Sequence, residues 1–102
     1  MIQPNEFNLV AKQIFLNVTN GVMITDTQGV IVDVNPSFCR MTGYAREEII
    51  GQVPEVLHSG YHDQSFYASL WEHIQSHGYW EGEIWNRHKN GEVYPEIGRA
   101  HV

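Results

Sequence analysis

Gly82-Glu83-Ile84-Trp85-Asn86-Arg87, then His88-Lys89-Asn90-Gly91, then Glu92-Val93-Tyr94-Pro95-Glu96-Ile97-Gly98-Arg99-Ala100-His101-Val102 is the stretch on which the fold turns. Asn-Gly between two strand-like runs is the strongest short-range hairpin signal, because both residues tolerate the positive φ of a tight turn. Gly82–Arg87 and Glu92–Val102 therefore read as strands about a turn at Lys89-Asn90-Gly91. Trp80, Trp85 and Tyr94 supply aromatic mass to that sheet. Glu81, Glu83, Glu92 and Glu96 recur at alternating positions and read as a solvated face.

Upstream of the hairpin lies the best helix of the chain. Phe66, Tyr67, Leu70, Trp71 and Ile74 fall on one broad face. Asp63 is placed to cap its start and Gly78 to end it. Gln52 to Tyr61 contains Pro54 and Gly60 and reads as a loop with one helical turn. Further back, Gly21–Asp26 and Val30–Asn35 flank Thr27-Gln28-Gly29 and read as a first hairpin. Strict alternation would put Val30, Val32 and Val34 on one face, with Ile31 and Asp33 on the other. Asn35 and Pro36 suit the cap and first position of a short helix, Pro36–Thr42, ending near Gly43. A second short helix is expected at Arg46–Ile50, with Glu47 and Glu48 at its favourable N-terminal end. At the start of the chain, Phe7, Val10, Ala11, Ile14, Phe15 and Val18 recur at helical spacing and make an amphipathic stripe.

The order is α+β: an antiparallel sheet covered on one face by short helices, with an N-terminal amphipathic helix. Residues 1–18 divide as that helix and 19–102 as the domain proper. One domain is what 102 residues support. The formal net charge of -6 argues against nucleic acid, since phosphate binding needs a basic face. The single cysteine, Cys39, makes an intramolecular disulfide impossible and fits a reducing compartment. No signal peptide opens the chain, and no run reaches the ~20 apolar residues of a membrane helix. A cytoplasmic domain without direct membrane insertion is expected, in a parent protein that can carry an anchor elsewhere.

The order and spacing of several motifs carry a resemblance. Gly21-Val22-Met23-Ile24-Thr25-Asp26, Val34-Asn35-Pro36-Ser37-Phe38 and Met41-Thr42-Gly43-Tyr44 resemble the opening of a PAS domain. Gly78-Tyr79-Trp80-Glu81-Gly82-Glu83-Ile84-Trp85-Asn86-Arg87 and Lys89-Asn90-Gly91-Glu92-Val93-Tyr94-Pro95-Glu96 are similar to the later part of PAS domains in bacterial sensor proteins. The resemblance implies a sensory input domain, not an enzyme, placed ahead of a diguanylate cyclase or histidine kinase module in the same polypeptide. PAS sheets have five strands with the last one central, whereas this sequence supplies four. A sheet short of one strand leaves an unpaired edge that invites pairing, so a homodimer is expected; the stripe Phe7, Val10, Ile14 and Phe15 either docks on a second copy or covers its own sheet.

The site candidates divide by chemistry. A pocket between sheet and helices would be walled by Met23, Ile24, Phe38, Met41, Leu57, Phe66, Leu70 and Trp80. Core packing alone also accounts for each of them. For a cofactor, the resemblance puts Trp80 and Asn86 against an FAD ring and His73 on a haem iron. No cofactor is the first expectation, FAD the second and haem the third; a small-molecule ligand remains open. His58 with His62, and His73 with His77, have metal-pair spacing, but no cysteine supports them and no metal is expected. Cys39 reads as a packed small residue rather than a nucleophile. No phosphate-binding glycine pattern occurs and no catalytic residue is assigned. The remaining alternatives are a ligand-free dimerisation module and a flavin-binding redox sensor.

Overall fold

The computed structural model describes Leu16 and residues 19–102. The stripe Phe7, Val10, Ile14 and Phe15 lies outside the described residues. The first hairpin pairs β1 (Val22–Thr25) with β2 (Ile31–Val34). Its turn is organised by Asp26, whose Oδ1 accepts from the N–H groups of Gln28 at 2.8 Å and Val30 at 3.0 Å. An aspartate reaching its own downstream backbone is what turns a strand here. The pairing is Met23 with Val34, Ile24 with Asp33, then Thr25 with Ile31, so Val32 is skipped. This corrects the expected alternation: Ile31 and Val34 are both buried while Val32 is exposed. A bulge adds one residue to one strand and resets which face follows it.

Asn35 ends β2 and starts α1 (Pro36–Thr42), accepting the Phe38 N–H at 3.0 Å. Pro36 takes the first helical position, where its missing N–H costs nothing. Gly43, at φ +79°, closes the helix by donating to Cys39 O at 2.9 Å. The next helix, α2, is one turn, Arg46–Ile49. A 3-10 turn, Pro54–Leu57, sits inside the expected loop. Then α3 runs from Gln64 to His77, capped by Asp63 on Phe66 N–H at 3.0 Å and ended by Gly78.

From Gly78 the chain enters β3 (Tyr79–Arg87) and returns as β4 (Val93–His101). Strand β3 starts at Tyr79 rather than Gly82, because the whole of β4 is available to pair, Tyr79 opposite His101 through Arg87 opposite Val93. The sheet order is β2-β1-β4-β3. Both hairpins are antiparallel as expected, but β1 and β4 pair in parallel, Val22 opposite Arg99 through Ile24 opposite His101. The sheet is therefore mixed. The central place that the resemblance gives to a fifth strand is taken here by direct β1–β4 pairing.

The core falls into two clusters. Ile31, Val34, Phe38, Ile49 and Leu57 form one, and Leu70, Ile74, Ile84 and Ala100 the other. Met23 packs against both. Burying a side chain of this size contributes about 1.5–3 kcal/mol. Most of the fold's driving force therefore comes from these two groups and what joins them.

Candidate functional site

The seam between the two clusters is not filled. A cavity of about 60 Å³ lies there, walled by Met23, Phe38 and Leu57 from one cluster and by Leu70, Trp80 and Ile84 from the other. Alternation explains the wall on the sheet side. Trp80, Gly82, Ile84 and Asn86 share one face of β3, opposite Ala100, Gly98, Glu96 and Tyr94 on β4. Gly82 and Gly98 face each other across the ladder. The space over this glycine pair is taken by the Trp80 indole. A Cβ on Gly82 would come within 2.9 Å of Trp80 Cζ2, and one on Gly98 within 3.6 Å of Trp80 Cζ3. Two residues without side chains thus seat a large ring flat against the sheet.

The polar end of the cavity is built from the next pairs along. Asn86 Nδ2 donates to Glu96 Oε1. Burial pushes the Glu96 carboxyl above its usual range, and the bond from Asn86 pulls it partly back. The hydroxyls of Tyr67 and Tyr94 are buried with no hydrogen-bond partner among the described residues. Tyr67 lines the cavity, and burial raises its phenol above the ordinary value, as it does for Tyr94. Glu96 corrects the expected solvated face. Glu81 and Glu83 are exposed on the outer side, but Glu96 stands opposite Ile84 and turns inward. The signal was available in the sequence: counting through the Asn-Gly turn gives Glu96 the same face as Ile84.

The loop before α3 forms the outer wall. His58 bridges to Asn86 at the free edge of β3, and its ring stacks on Tyr67 at 3.7 Å. His62 stacks on Phe66 at 3.7 Å and its Nε2 accepts the Trp85 N–H at 3.0 Å. Arg87 Nη2 donates to Ser59 O at 3.3 Å. The loop therefore covers a strand edge that would otherwise offer open hydrogen bonds. Burial lowers the pKa of His58. A second, open groove of about 360 Å³ shares Pro54, His58 and Trp71 with the cavity and continues along Thr27, Gln28, Glu55 and Gln75.

Of the residues expected at a pocket, Met23, Phe38, Leu57, Leu70, Trp80 and Asn86 meet at this cavity. Ile24 alternates to the opposite side of β1 from Met23 and is not in the wall. Met41 is not there either; its Sδ lies beside Gly21. Phe66 belongs to the surrounding cluster, packed behind the lining. His73 stands apart from the cavity: its Nδ1 bonds Tyr79 O at 2.7 Å and its ring stacks on His77 at 4.2 Å. Sequence reasoning missed His58, Tyr67, Trp71 and Glu96. Among the described residues no three His, Cys, Asp or Glu side chains come together as a metal-binding group. Burial raises the Cys39 thiol, which keeps it a thiol rather than a nucleophilic thiolate. Among the described residues no helix is long and apolar enough to cross a membrane.

The fold and the sequence have relatives. A family model for the PAS domain matches residues 19–101. The nitrogen fixation regulatory protein of Klebsiella oxytoca is 30% identical over 73 residues, 72% of this chain and 15% of that protein. The aerotaxis receptor of Escherichia coli (strain K12) is 30% identical over 70 residues, 69% of this chain and 14% of that protein. A domain of the sensory box sensor histidine kinase/response regulator from Geobacter sulfurreducens superposes with a TM-score of 0.80 at 25% identity, over 98% of this chain and 87% of that one. The chain thus spans about one-seventh of the length of the two regulators, 15% and 14%.

Proposed function

The chain belongs to the PAS domain family, and from that premise we propose that it senses a small molecule held in the cavity between α3 and the sheet. Occupancy is relayed to an output domain such as a diguanylate cyclase or a histidine kinase. A sensory input role is the one its relatives share, as domains of regulators and receptors. A PAS domain is a regulatory sensor and not a catalytic one.

One observation carries the small-ligand reading: the seam of the core keeps a cavity that is apolar on most sides and polar at one end. Packed interiors leave few voids larger than a water. A carboxyl and an unpartnered hydroxyl are costly to place beside one unless something meets them. The volume sets the size class. An apolar cavity of roughly 150 Å³ holds a benzene, and a water takes roughly 30 Å³ of liquid. About 60 Å³ therefore suits a molecule of a few heavy atoms.

Flavin is the second reading, because Trp80 and Asn86 both line this cavity. A three-ring isoalloxazine does not fit the space as it stands, and would require the α3 wall to move away from the sheet. The test is native mass spectrometry of the freshly purified chain, with an absorption spectrum of the same sample. A small adduct, lost on denaturation and without visible absorbance, supports the small-ligand reading. A flavin spectrum selects the second reading and removes the first.

A further inference from the structure

The chemistry of the ligand can be read from what the cavity offers it. Facing inward are a carboxyl, Glu96, an amide, Asn86, and the Tyr67 hydroxyl. The amide already donates to the carboxyl, which leaves the Asn86 carbonyl and the remaining carboxylate lone pairs as open acceptors. Arg99 touches the cavity with its backbone strand, but its guanidinium is held by Glu81 at 3.0 Å on the other face of the sheet. The groove at the mouth repeats the pattern, with Thr27, Gln28, Gln75 and an acid, Glu55, and no lysine or arginine. A phosphate or carboxylate entering here meets no counter-charge. A cation meets Glu55 at the mouth and, once that carboxyl is ionised, Glu96 at the inner end. Trp80 and Tyr67 add aromatic rings to the lining, one face of the Tyr67 ring being covered by His58.

Resting on the small-ligand reading above, we propose that Glu96 and Asn86 form the recognition element of the cavity and that its ligand is a small planar N–H cation of the amidinium or guanidinium class. A carboxylate takes such a group through two parallel N–H···O bonds, and the Asn86 carbonyl is placed to accept a further one. The ion would lie in the cavity that Trp80 and Tyr67 help to line. Of the titratable groups, Tyr94 on the same strand interacts with Glu96, and Tyr67 on α3 and His58 in the covering loop line the same cavity. In the empty protein burial favours the protonated carboxyl. A cation needs it ionised, so binding should strengthen as pH rises through the Glu96 titration.

The experiment is calorimetric titration of the full 102-residue chain with acetamidinium, against acetamide as the neutral shape match and acetate and phosphate as anions. Tetramethylammonium at equal ionic strength controls for salt. Saturable binding of acetamidinium is expected, tighter at pH 8 than at pH 5. Glu96→Gln should weaken it at least about tenfold and abolish the pH dependence. Glu81→Gln, on the other face, should change neither. Equal acetamidinium binding in wild type and Glu96→Gln overturns the proposal, as does a preference for either anion. Acetamide binding that ignores Glu96 overturns the charge assignment while leaving the small-ligand cavity standing. Binding of none of the four probes removes both.

Discussion

Asn35 is the residue whose loss should cost the fold most for its size. It is fully buried at 0% exposure. Its Oδ1 accepts the Val22 N–H at 2.8 Å and the Phe38 N–H at 3.0 Å, and its Nδ2 donates to Asn20 O at 3.0 Å. One side chain thus fastens the start of β1, the segment before it and the first turn of α1. Asn35→Ala would leave the Val22 and Phe38 N–H groups buried without their acceptor. Each such orphan costs about 1–3 kcal/mol, with the cap loss already counted in the Phe38 term. A total loss of about 3–5 kcal/mol is expected, against a native stability of about 5–15 kcal/mol for a domain. In melting temperature that is a drop of roughly 15–30 °C. Asn35→Asp is the informative control. It keeps the acceptor for both N–H groups and suits a helix N-terminus, but sets an oxygen against the Asn20 carbonyl. It should fall between wild type and Asn35→Ala. Urea unfolding followed by far-UV circular dichroism reads all three. An Asn35→Ala loss under about 1 kcal/mol would show that the backbone groups find other partners, and the reasoning would fail.

Gly82→Ala should push the Trp80 ring off its seat and into the cavity, costing about 1–3 kcal/mol as overpacking and weakening ligand binding; unchanged affinity would mean the ring does not border the bound ligand. Gly43→Ala meets both a positive φ of 79° and a clash with the His88 ring, so a loss of at least about 2 kcal/mol is expected from unfolding curves. Stability should also depend on pH in two opposed ways. Glu96 has a raised folded pKa, so its contribution is present at acid pH and is lost as pH rises from the ordinary glutamate value through the raised one. His58 and His101 have lowered folded pKa values, so theirs is present near neutrality and is lost as pH falls from the ordinary histidine value through the lowered ones. Urea midpoints between pH 4 and 8 should lose the first slope in Glu96→Gln and part of the second in His58→Phe, which keeps a ring to stack on Tyr67. Changing Val10 and Ile14 together to Asp should convert a dimer to monomer by light scattering; a monomer before and after would remove the dimer reading.

Local signals made the elements legible. The helix caps made by Asn35, Asp63, Gly43 and Gly78 and the Asn90-Gly91 turn each act within four residues, so a sequence displays cause and consequence side by side. The parts that were not legible depend on partners far along the chain. The skipped Val32 follows from how β1 meets β2, and no residue type near it announces a bulge. The parallel β1–β4 pairing joins residues more than 70 positions apart, and nothing in either strand alone names its neighbour. The site was half visible for the same reason. Trp80 and Asn86 stand out by type, and Met23, Phe38, Leu57 and Leu70 by hydrophobicity. Glu96 was passed over because acids on strands usually face water, although its register puts it opposite Ile84, and Tyr67 was read on the apolar face of α3 without being assigned to the site.

The position of the cavity explains how so small a ligand could be felt at a distance. It lies where the α1 side of the core meets the α3 side, and Met23 is the side chain shared by both clusters. Methionine is unbranched and repacks at low cost, so it tolerates a change of spacing that a β-branched residue would resist. Met23 is also paired with Val34 on β2 and with Ala100 on β4, at the middle of the sheet. A molecule that widens or tightens the seam therefore acts on a residue whose backbone joins the two hairpins. Replacing Met23 with Ile should stiffen this joint at a similar volume. If the seam transmits occupancy, Met23→Ile should keep ligand affinity within a few-fold while reducing the ligand-induced change in amide-exchange protection along β1 and β4. An undiminished change along those strands would place the relay elsewhere.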